Sequence, residues 1–330
     1  MPSRNNIRVL TTPAAPVALP ALFKALGDTL RVRVLRVLKD GSLNVTELCD
    51  VFQTGQSALS HHLKVLVSAD LLTRRKEGTV TFYRRQLPEG DRARLINEAL
   101  ASIDAQPLDA TLEQALARVQ AERERNSRAF FTDNSAQFRE HQELIASWDD
   151  YAQATLHLLD RHCSGPHLRL LEVGPGDGQL LPALAARARE VVGLDNSEAM
   201  LARARLVTAD LANVQLEHGE LHSYPREGAG FDGAIVNMVL HHTPSPQQTL
   251  REAASLLRPG GVMVVSELCA HDQDWAREAC GDLWLGFEPA QLAAWAGQAG
   301  LTGLAELFIA QRNGFQIQVR LFERTAADYQ

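Results

Sequence analysis

Residues Leu168–Asp195, LRLLEVGPGDGQLLPALAARAREVVGLD, decide the fold of the larger part of this chain. The stretch begins with a short apolar run and a turn that carries three glycines. An amphipathic segment with helical spacing follows, and then a second apolar run that ends on an aspartate. Strand, glycine turn, helix, strand and acid, in this order, form the first half of a Rossmann-like nucleotide site. We therefore predict an α/β domain built on a parallel sheet.

The spacing of the glycines narrows the choice of nucleotide. Gly174, Gly176 and Gly178 follow the order G-x-G-x-G, whereas dinucleotide sites use G-x-G-x-x-G. Glu172 precedes the turn, where it would repel a pyrophosphate and attract the ammonium group of a methionine moiety. Asp195, at the tip of the second strand, can accept hydrogen bonds from two ribose hydroxyls. NAD, FAD and S-adenosylmethionine all fit the general pattern, and the glycine spacing and Glu172 favour S-adenosylmethionine.

Two segments resemble motifs of the class I S-adenosylmethionine-dependent methyltransferases, since LLEVGPGDG matches their first motif and LDNSEAML their second. The resemblance extends over residues 130–324. It implies a Rossmann-like α/β fold and a site for S-adenosylmethionine or S-adenosylhomocysteine. The residues expected to bind this cofactor are Glu172, Gly174, Gly176, Gly178, Asp195, Asn196, Met200, Gly219, Glu220, Leu221 and Asn237. Glu220 departs from the pattern, because many members have Asp at the position that binds the adenine amino group.

The later part of this domain carries two further features. Asn237–His242 follows a predicted strand, at the position that faces the transferred methyl group in the family it resembles. His241 and His242 are therefore the candidate catalytic residues, as a base for an acceptor that must lose a proton. Asn313-Gly314 lies between two strand-like runs and predicts a hairpin. A terminal antiparallel hairpin on a parallel sheet resembles the methyltransferase variation on the Rossmann plan.

A second domain is predicted at the front of the chain. In QSALSHHLKVLVS, residues 56–68, the leucines repeat at helical spacing and should face a core, whereas the polar side should face outwards. The following LLTRRKEGTVTFYRRQL has two β-prone runs around Lys76-Glu77-Gly78 and predicts a basic hairpin. A helix-turn-helix followed by a basic hairpin is a winged helix. The expected DNA contacts are Gln56, Ser57, Ser60, His61 and Lys64 on the helix, and Arg74, Arg75, Lys76 and Arg84 on the hairpin.

Composition and charge limit the function. The 330 residues are enough for two domains. The net charge is −7, yet residues 1–90 hold 13 Lys or Arg against 7 Asp or Glu, which favours a polyanionic partner for the front half. No apolar run approaches the ~18 residues of a membrane span. The N-terminus has no apolar signal segment, so we expect a cytoplasmic protein with no membrane partner.

The segments ALGDTLRVRVLRVL and SALSHHLKVLVSADLLTRRKEGTVTFYRR resemble the ArsR/SmtB family of winged-helix repressors over residues 18–103. The resemblance implies a homodimer on a two-fold, double-stranded DNA operator, with half-sites about one helical turn apart. In this family the first and last helices form the dimer, and here these would be Val17–Leu26 and Arg92–Ile103. We expect a flexible tail at 1–16, a DNA-binding and dimerisation domain at 17–104, a helical linker at 105–128 and a methyltransferase-like domain at 129–330.

Many ArsR/SmtB proteins sense metals, but the sequence does not match their sites. The thiolate sensors carry paired cysteines in E-L-C-x-C, whereas ELCDVF has Cys49 alone and Val51 in the second place. A second type of sensor uses Asp and His on the dimer helix, and Arg92–Ile103 has no histidine. Because a soft-metal site needs three or four ligands, we expect no bound metal.

Three functions stay open. The first is a transcriptional repressor whose methyltransferase-like domain binds S-adenosylmethionine or S-adenosylhomocysteine as an effector. We favour it because the chain is similar to ArsR-type repressors of methionine-cycle genes that respond to S-adenosylhomocysteine. The second is an active small-molecule methyltransferase that also represses its own operon. The third, which is the least favoured, is a repressor that responds to a metal or to arsenic.

Overall fold

The computed structural model describes residues 19–77, 80–86, 88, 90–134, 138–165, 167–225 and 230–325. The expected tail at 1–16, the first two residues of the expected dimer helix and Gly78 of the hairpin turn lie outside these ranges. Within the described ranges, no helix combines the length and the apolar character needed to span a membrane.

The N-terminal part is a winged helix, as the sequence predicts. Its helices are α1 (Leu19–Leu26), α2 (Thr29–Val37), α3 (Val45–Phe52), α4 (Gln56–Ser68) and α5 (Ala93–Asp104). The strands β1 (Leu43–Asn44), β2 (Leu72–Glu77) and β3 (Val80–Arg85) form an antiparallel sheet in the order β1-β3-β2. All five helices contribute buried aliphatic side chains to one core. The hairpin β2–β3, called the wing below, packs beside this core.

Side-chain caps fix where two of these helices begin. Asp28 caps α2, because its Oδ1 accepts a hydrogen bond of 3.0 Å from the backbone amide of Arg31. Asn44 and Glu47 form a reciprocal capping box at the start of α3. Such caps pair backbone amides that the first turn of a helix leaves without a partner. The carboxylate of Glu47 is thereby held in place on α3.

Three helices lead from the winged helix to the second domain. They are α6 (Ala110–Asn134), α7 (Phe138–Ile145) and α8 (Trp148–His162). α6 continues past residue 128, where the sequence predicts the end of the helical linker. Its sequence contains neither glycine nor proline, the two residues that most strongly disfavour a helix, so nothing in it ends the helix at residue 128. One continuous helix of 25 residues therefore extends from the first domain into the second.

The second domain has the predicted α/β fold. In chain order its elements are β4 (Arg169–Val173), α9 (Leu181–Ala185), β5 (Glu190–Asp195), α10 (Glu198–Val207), β6 (Val214–His218), β7 (Phe231–Asn237), α11 (Pro246–Leu256), β8 (Leu257–Leu268), α12 (Trp275–Cys280), α13 (Pro289–Gln298), β9 (Leu301–Ala310) and β10 (Gln316–Arg324). The sheet order is β6-β5-β4-β7-β8-β10-β9. β4 to β8 are parallel, and β10 is antiparallel to both neighbours. The terminal hairpin predicted at Asn313-Gly314 is confirmed.

The sheet separates two hydrophobic cores. Ile235 of β7 belongs to one core, while its neighbours Ala234 and Val236 belong to the other, because successive side chains of a strand point to opposite faces. Phe82 of the wing is also a member of the second core. The winged helix therefore packs directly against the methyltransferase-like domain through one face of its wing.

Candidate cofactor cavity and DNA-facing surface

A cavity of 530 Å³ lies at the carboxyl ends of β4 and β5. This is the edge of an open parallel sheet at which ligands bind, and the volume lies in the range of small-molecule sites. Eight of the eleven residues predicted to bind the cofactor line it, namely Gly174, Gly176, Asp195, Asn196, Met200, Gly219, Glu220 and Leu221. The residues that the sequence pattern names thus lie together on one wall of the cavity, and their contact with a cofactor stays a prediction.

The backbone conformation of the turn at this wall requires glycine at two positions. Gly174 and Gly176 have φ angles of +62° and +57°, in the left-handed region that side chains with a Cβ resist. A Cβ at Gly174 would also come within 2.7 Å of a methyl group of Val239. The backbone of the turn therefore stays close to the cavity, where it can approach a ligand.

Two acids lie at the tip of the sheet beside this turn. Oδ1 of Asp195 accepts a hydrogen bond of 2.8 Å from the backbone amide of Ser197. Burial raises the pKa of Asp195 to about 6. Nδ2 of Asn196 donates to Oε1 of Glu220 at 2.9 Å, which joins the end of β5 to the loop after β6. These side chains can accept hydrogen bonds from ribose hydroxyls and from an amino group.

Three predicted cofactor residues lie behind this wall rather than on it. Glu172 is buried, its Oε2 has no hydrogen-bond partner, and burial raises its pKa to about 8, so this carboxyl group is mostly protonated at neutral pH. The attraction of Glu172 for an ammonium group stays a prediction. Gly178 approaches Ala204 of α10 too closely for a Cβ, and Asn237 accepts a hydrogen bond of 3.2 Å from Thr155 of α8. In this structure the three residues support the wall instead of lining the cavity, and their direct contact with a cofactor stays a prediction.

α6 forms a second wall of the cavity, although the sequence predicts residues 105–128 only as a helical linker. The residues that it contributes are Leu116, Gln120, Glu124, Ser127 and Phe131. They recur every three or four positions and so lie along one face of the helix. Because this face is mostly polar, its pattern is that of a solvated helix, and the sequence carries no sign that it covers a cavity.

The two candidate catalytic histidines have different surroundings. His242 lines the cavity, whereas His241 is buried beside it with Nδ1 at 2.5 Å from Oε1 of Glu267. Burial lowers the pKa of His241, but the carboxylates of Glu267 and Asp282 outweigh burial and raise this pKa to about 9. Burial and the neighbouring His241 lower the pKa of His242, so its imidazole is neutral at pH 7. Of the pair, only His242 has the position and the protonation state of a base for a ligand in the cavity.

The predicted recognition helix α4 presents a polar face to solvent. Leu59, Leu63 and Leu66 are buried in the core of the winged helix. The predicted DNA contacts on the other side, Gln56, Ser57, Ser60, His61 and Lys64, are all exposed. Such a face can enter a major groove and offer hydrogen bonds to base edges and phosphates. The contact with DNA itself stays a prediction.

The wing divides its basic residues between two faces. Arg74 and Lys76 are exposed, as a DNA contact requires. The guanidinium of Arg75 points to the second domain, where it donates to the backbone carbonyls of His271, Leu285 and Gly286. The prediction for Arg75 is therefore corrected, because adjacent side chains of a strand point in opposite directions.

Arg84 lies on the same face of the wing as Arg75. Its side chain borders a crevice shared with Phe82 and with Trp284 of the second domain, and burial lowers its pKa. The rings of Phe82 and Trp284 meet edge to face at 5.6 Å. The prediction for Arg84 is corrected in the same way, since this face of the wing serves the contact between the domains.

Arg123 of α6 lies where the two domains and the cavity wall meet. Its Nε and Nη2 donate to the carboxylate of Glu47 on α3 at 2.7 and 2.6 Å. Its Nη1 donates to the carbonyl of Pro244, which lines the cavity, at 3.3 Å. The guanidinium also lies 4.7 Å from the ring centre of Trp284. One side chain therefore contacts the winged helix and the cavity wall at once.

Comparison with protein families finds two separate matches along the chain. Residues 28–74 match the family described as bacterial regulatory protein, arsR family. Residues 171–265 match the family described as methyltransferase domain. This chain joins an ArsR-family DNA-binding domain to a methyltransferase domain.

Individual relatives match about a third of the chain. An uncharacterized 37.1 kDa protein in transposon TN4556 of Streptomyces fradiae is 37% identical over 113 residues, which are 33% of each chain. The ubiquinone biosynthesis O-methyltransferase of Azoarcus sp. (strain BH72) is 34% identical over 116 residues, which are 34% of this chain and 49% of that enzyme. The chain thus spans between a third and a half of these relatives.

Solved structures show the fold of the second domain. The putative methyltransferase in complex with the Trm112 activator of Haloferax volcanii has a TM-score of 0.53 at 18% identity, over 62% of this chain and 99% of that one. The 1,6-didemethyltoxoflavin-N1-methyltransferase of Burkholderia thailandensis, solved with S-adenosylhomocysteine, has a TM-score of 0.50 at 21% identity, over 67% and 93%. Both likenesses concern the class I methyltransferase fold.

Proposed function

We propose that this protein is a DNA-binding transcriptional repressor whose methyltransferase domain binds S-adenosylmethionine or S-adenosylhomocysteine as an effector. The observation that carries the proposal is the position of α6. This helix packs against α3 of the winged helix and also lines the cavity. A ligand in the cavity therefore touches the same helix that supports the DNA-reading unit.

On the DNA side, the proposal is a homodimer on a two-fold operator. Three large apolar side chains support it, because they are exposed on the helices expected to form the dimer. Leu19 and Phe23 of α1 are 46% and 58% exposed, and Leu95 of α5 is 40% exposed. Packing against a second copy would remove this apolar surface from water. The exposed faces of the two α4 helices would then read half-sites about one helical turn apart.

On the ligand side, the features that favour an adenosine nucleoside all lie on the wall formed by β4 and β5. Asp195 is placed to accept the ribose hydroxyls, and Glu220 to accept the adenine amino group. Gly174 and Gly176 keep the backbone close to the ligand. The methyl donor and its demethylated product share the adenosine that these residues would bind.

Coupling of the two sites is proposed to pass through Arg123. An effector changes DNA affinity only if it binds more tightly to one of two arrangements of the protein. Arg123 joins Glu47 on α3 to Pro244 on the cavity wall. A displacement of α6 or of Pro244 by ligand would therefore shift α3, and with it the packed helix α4.

Two linked measurements on the full-length protein test the proposal. Calorimetric titration with S-adenosylmethionine and S-adenosylhomocysteine identifies the tighter ligand. Fluorescence anisotropy then gives the affinity for an operator, selected by the protein from random DNA, with and without that ligand at saturation. We expect operator affinity to change by about 5- to 150-fold, the usual range of such coupling. Unchanged operator affinity with an occupied cavity would refute the effector function.

A second function, methylation of a small molecule, is favoured by the position of His242. Its neutral imidazole lines the cavity and can take a proton from an acceptor. The similarity to an enzyme named ubiquinone biosynthesis O-methyltransferase also favours methyltransferase activity. Incubation of the protein with methyl-labelled S-adenosylmethionine and cell extract tests it. Label on an extract molecule, lost in His242→Gln, would support catalysis, whereas no labelled molecule would rule strongly against it.

A metal-responsive repressor that uses Cys49 has the least support. Burial and the neighbouring Asp50 raise the pKa of this thiol, which disfavours the thiolate that metals bind. A Cys49→Ser variant whose operator affinity responds to zinc or arsenite as the unaltered protein does would exclude this function.

A further inference from the structure

His241, His242 and Asp282 bring three metal-ligand atoms together beside the cofactor cavity. One ligand atom from each residue lies within 4.8 Å of the other two. Oδ1 of Asp282 is 3.9 Å from Nε2 of His241 and 3.9 Å from Nδ1 of His242. Among the residues that the structure describes, no other group of His, Cys, Asp and Glu side chains meets this spacing.

The carboxylate of Asp282 is buried without any hydrogen bond that would account for its burial. Its side chain is fully buried, and neither carboxylate oxygen has a hydrogen-bond partner. The distances of 3.9 Å to the two imidazoles are too long for hydrogen bonds. Arg277 donates to the backbone carbonyls of Asp282 and Leu283. A buried carboxylate is costly unless it is both paired and hydrogen-bonded, and Asp282 has charged neighbours in His241 and Arg277 but no hydrogen bond to either oxygen, which suits it to a further ligand.

Glu267 holds His241 in the orientation that a metal site requires. Its Oε1 lies 2.5 Å from Nδ1 of His241 and accepts a hydrogen bond of 2.7 Å from the backbone amide of Leu268. Because Nδ1 faces Glu267, Nε2 is the nitrogen that faces Asp282. Metal-binding histidines usually donate their other ring N–H to a carboxylate in this way, which fixes the ring and raises its basicity.

The two histidines also border a small void, which Asp282 does not line. A separate cavity of 20 Å³, lined by His241, His242 and Cys280 among others, can hold about one water molecule. Zinc with bonds of about 2.0–2.2 Å in tetrahedral geometry places its ligand atoms about 3.4 Å apart. The two distances of 3.9 Å to Asp282 would have to shorten by about half an ångström, and a separation of up to 4.8 Å between the histidine nitrogens by more than that. Nδ1 of His242, which lies 3.2 Å from the carbonyl of Gly281, would exchange that contact for the ion.

We propose that His241, His242 and Asp282 bind a divalent first-row transition-metal ion, with Glu267 as the hydrogen-bond partner of His241. Two imidazole nitrogens and one carboxylate oxygen are the donor set of such ions, zinc among them. This revises the expectation of no bound metal, which was based on Cys49 and on the dimer helix of the other domain. The proposal does not depend on the effector function proposed above, and it is an alternative to His242 acting as a free base.

The ion would also hold the loop that contacts the wing. The carbonyl of His241 accepts hydrogen bonds from the backbone amides of Leu283 and Trp284 at 2.9 and 3.1 Å. Trp284 in turn packs against Phe82 of the wing. An ion that joins His241 to Asp282 would therefore tighten the segment on which the winged helix rests.

Cobalt binding to the untagged, full-length protein tests the site. After removal of metal by chelation, titration with Co²⁺ should give visible ligand-field bands that saturate at about one ion per chain. Added Zn²⁺ should abolish these bands, because the order of affinities places zinc above cobalt. The zinc form should melt at a higher temperature than the chelated form, because a ligand that binds the native state stabilises it.

Variants separate this site from histidines elsewhere on the chain. Asp282→Asn keeps the shape of the side chain and should abolish stoichiometric binding, and Glu267→Gln should weaken it about 10- to 100-fold. His157→Gln, which changes an exposed histidine of α8, should bind cobalt like the unaltered protein. Circular dichroism reports whether each variant is folded. An unaltered protein that gives no saturable cobalt bands, or a folded Asp282→Asn protein with unaltered bands, would overturn the proposal.

Discussion

The wall of the cavity formed by the ends of β4 and β5 differs from the wall formed by α6 in what lies behind it. Behind the first wall is the parallel sheet, with strand residues such as Leu170 and Leu171 fully buried. Behind α6 is the winged helix, held through Arg123 and Glu47. A close-packed sheet is difficult to deform, whereas a helix between two domains can change its position. The first wall is therefore suited to binding and the second to transmission.

Removal of the Asp195 carboxylate tests the binding wall and should have the largest effect. Asp195→Ala loses two hydrogen bonds to a charged acceptor, each worth about 1.5–3 kcal/mol. We expect the Kd for S-adenosylhomocysteine, measured by calorimetry, to rise about 100-fold or more. Asp210→Asn, on the exposed surface of the same domain, should leave it unchanged. A Kd for Asp195→Ala within about threefold of the unaltered value would remove the binding role from this wall.

The Arg123→Met variant tests the transmitting wall. It removes the contacts with Glu47 and Pro244 but none of the residues proposed to hold the nucleoside. We expect the Kd for S-adenosylhomocysteine to stay within about threefold, while the ligand-dependent change in operator affinity of about 5- to 150-fold disappears. Arg125→Met, at an exposed position of α6, is the matched control. An Arg123→Met protein with a full response would show that coupling takes another route.

The pH dependence of ligand affinity tests the wall formed by β4 and β5 a second time. Burial raises the pKa of Asp195 to about 6, so this carboxyl group is ionised above pH 6 and gains a proton below it. Only the ionised form accepts both ribose hydroxyls. Affinity for S-adenosylhomocysteine should therefore be constant near pH 7 and fall about tenfold per unit below pH 6. Glu172, whose pKa is raised to about 8, titrates above this window.

Asp195→Asn provides the control for that measurement. Its affinity should be lower throughout and nearly flat between pH 5 and pH 7, because the titrating group is gone. An equal fall in affinity for Asp195→Asn would assign the pH dependence to another residue.

The wing also has two different faces, of which one is proposed to bind DNA and the other contacts the second domain. Arg74→Gln and Lys76→Gln should each lower operator affinity a few-fold and reduce the slope of log affinity against log salt by about one. Arg75→Gln should leave that slope unchanged and lower the melting temperature, because three carbonyls of the second domain lose their donor. A reduced salt slope for Arg75→Gln would place this side chain on DNA after all.

The parts of the fold that the sequence predicted are those encoded locally. The glycine turn at Gly174–Gly178 and the hairpin at Asn313-Gly314 each need particular residues at particular dihedral angles. The local sequence is therefore enough to predict both. The buried leucines of α4 follow the helical period. Such features can be identified without knowledge of what packs against them.

The features that the sequence did not predict arise from packing between distant segments. The polar face of α6 becomes a cavity wall only because the second domain lies against it. Asp282 joins His241 and His242 only in the folded chain. The correction for Arg75 is different, because the alternation of strand side chains already separates it from Arg74 and Lys76. Only knowledge of the second domain's position tells which face of the wing meets DNA.

Reciprocal binding tests the central claim most directly, namely that ligand and DNA act on one another through α6. The Kd for S-adenosylhomocysteine should be measured on the free protein and on the protein saturated with operator. Linkage requires the two values to differ by the same factor by which the ligand changes operator affinity, about 5- to 150-fold. Identical values with and without operator would contradict the account, whatever the affinity of the cavity for the nucleoside.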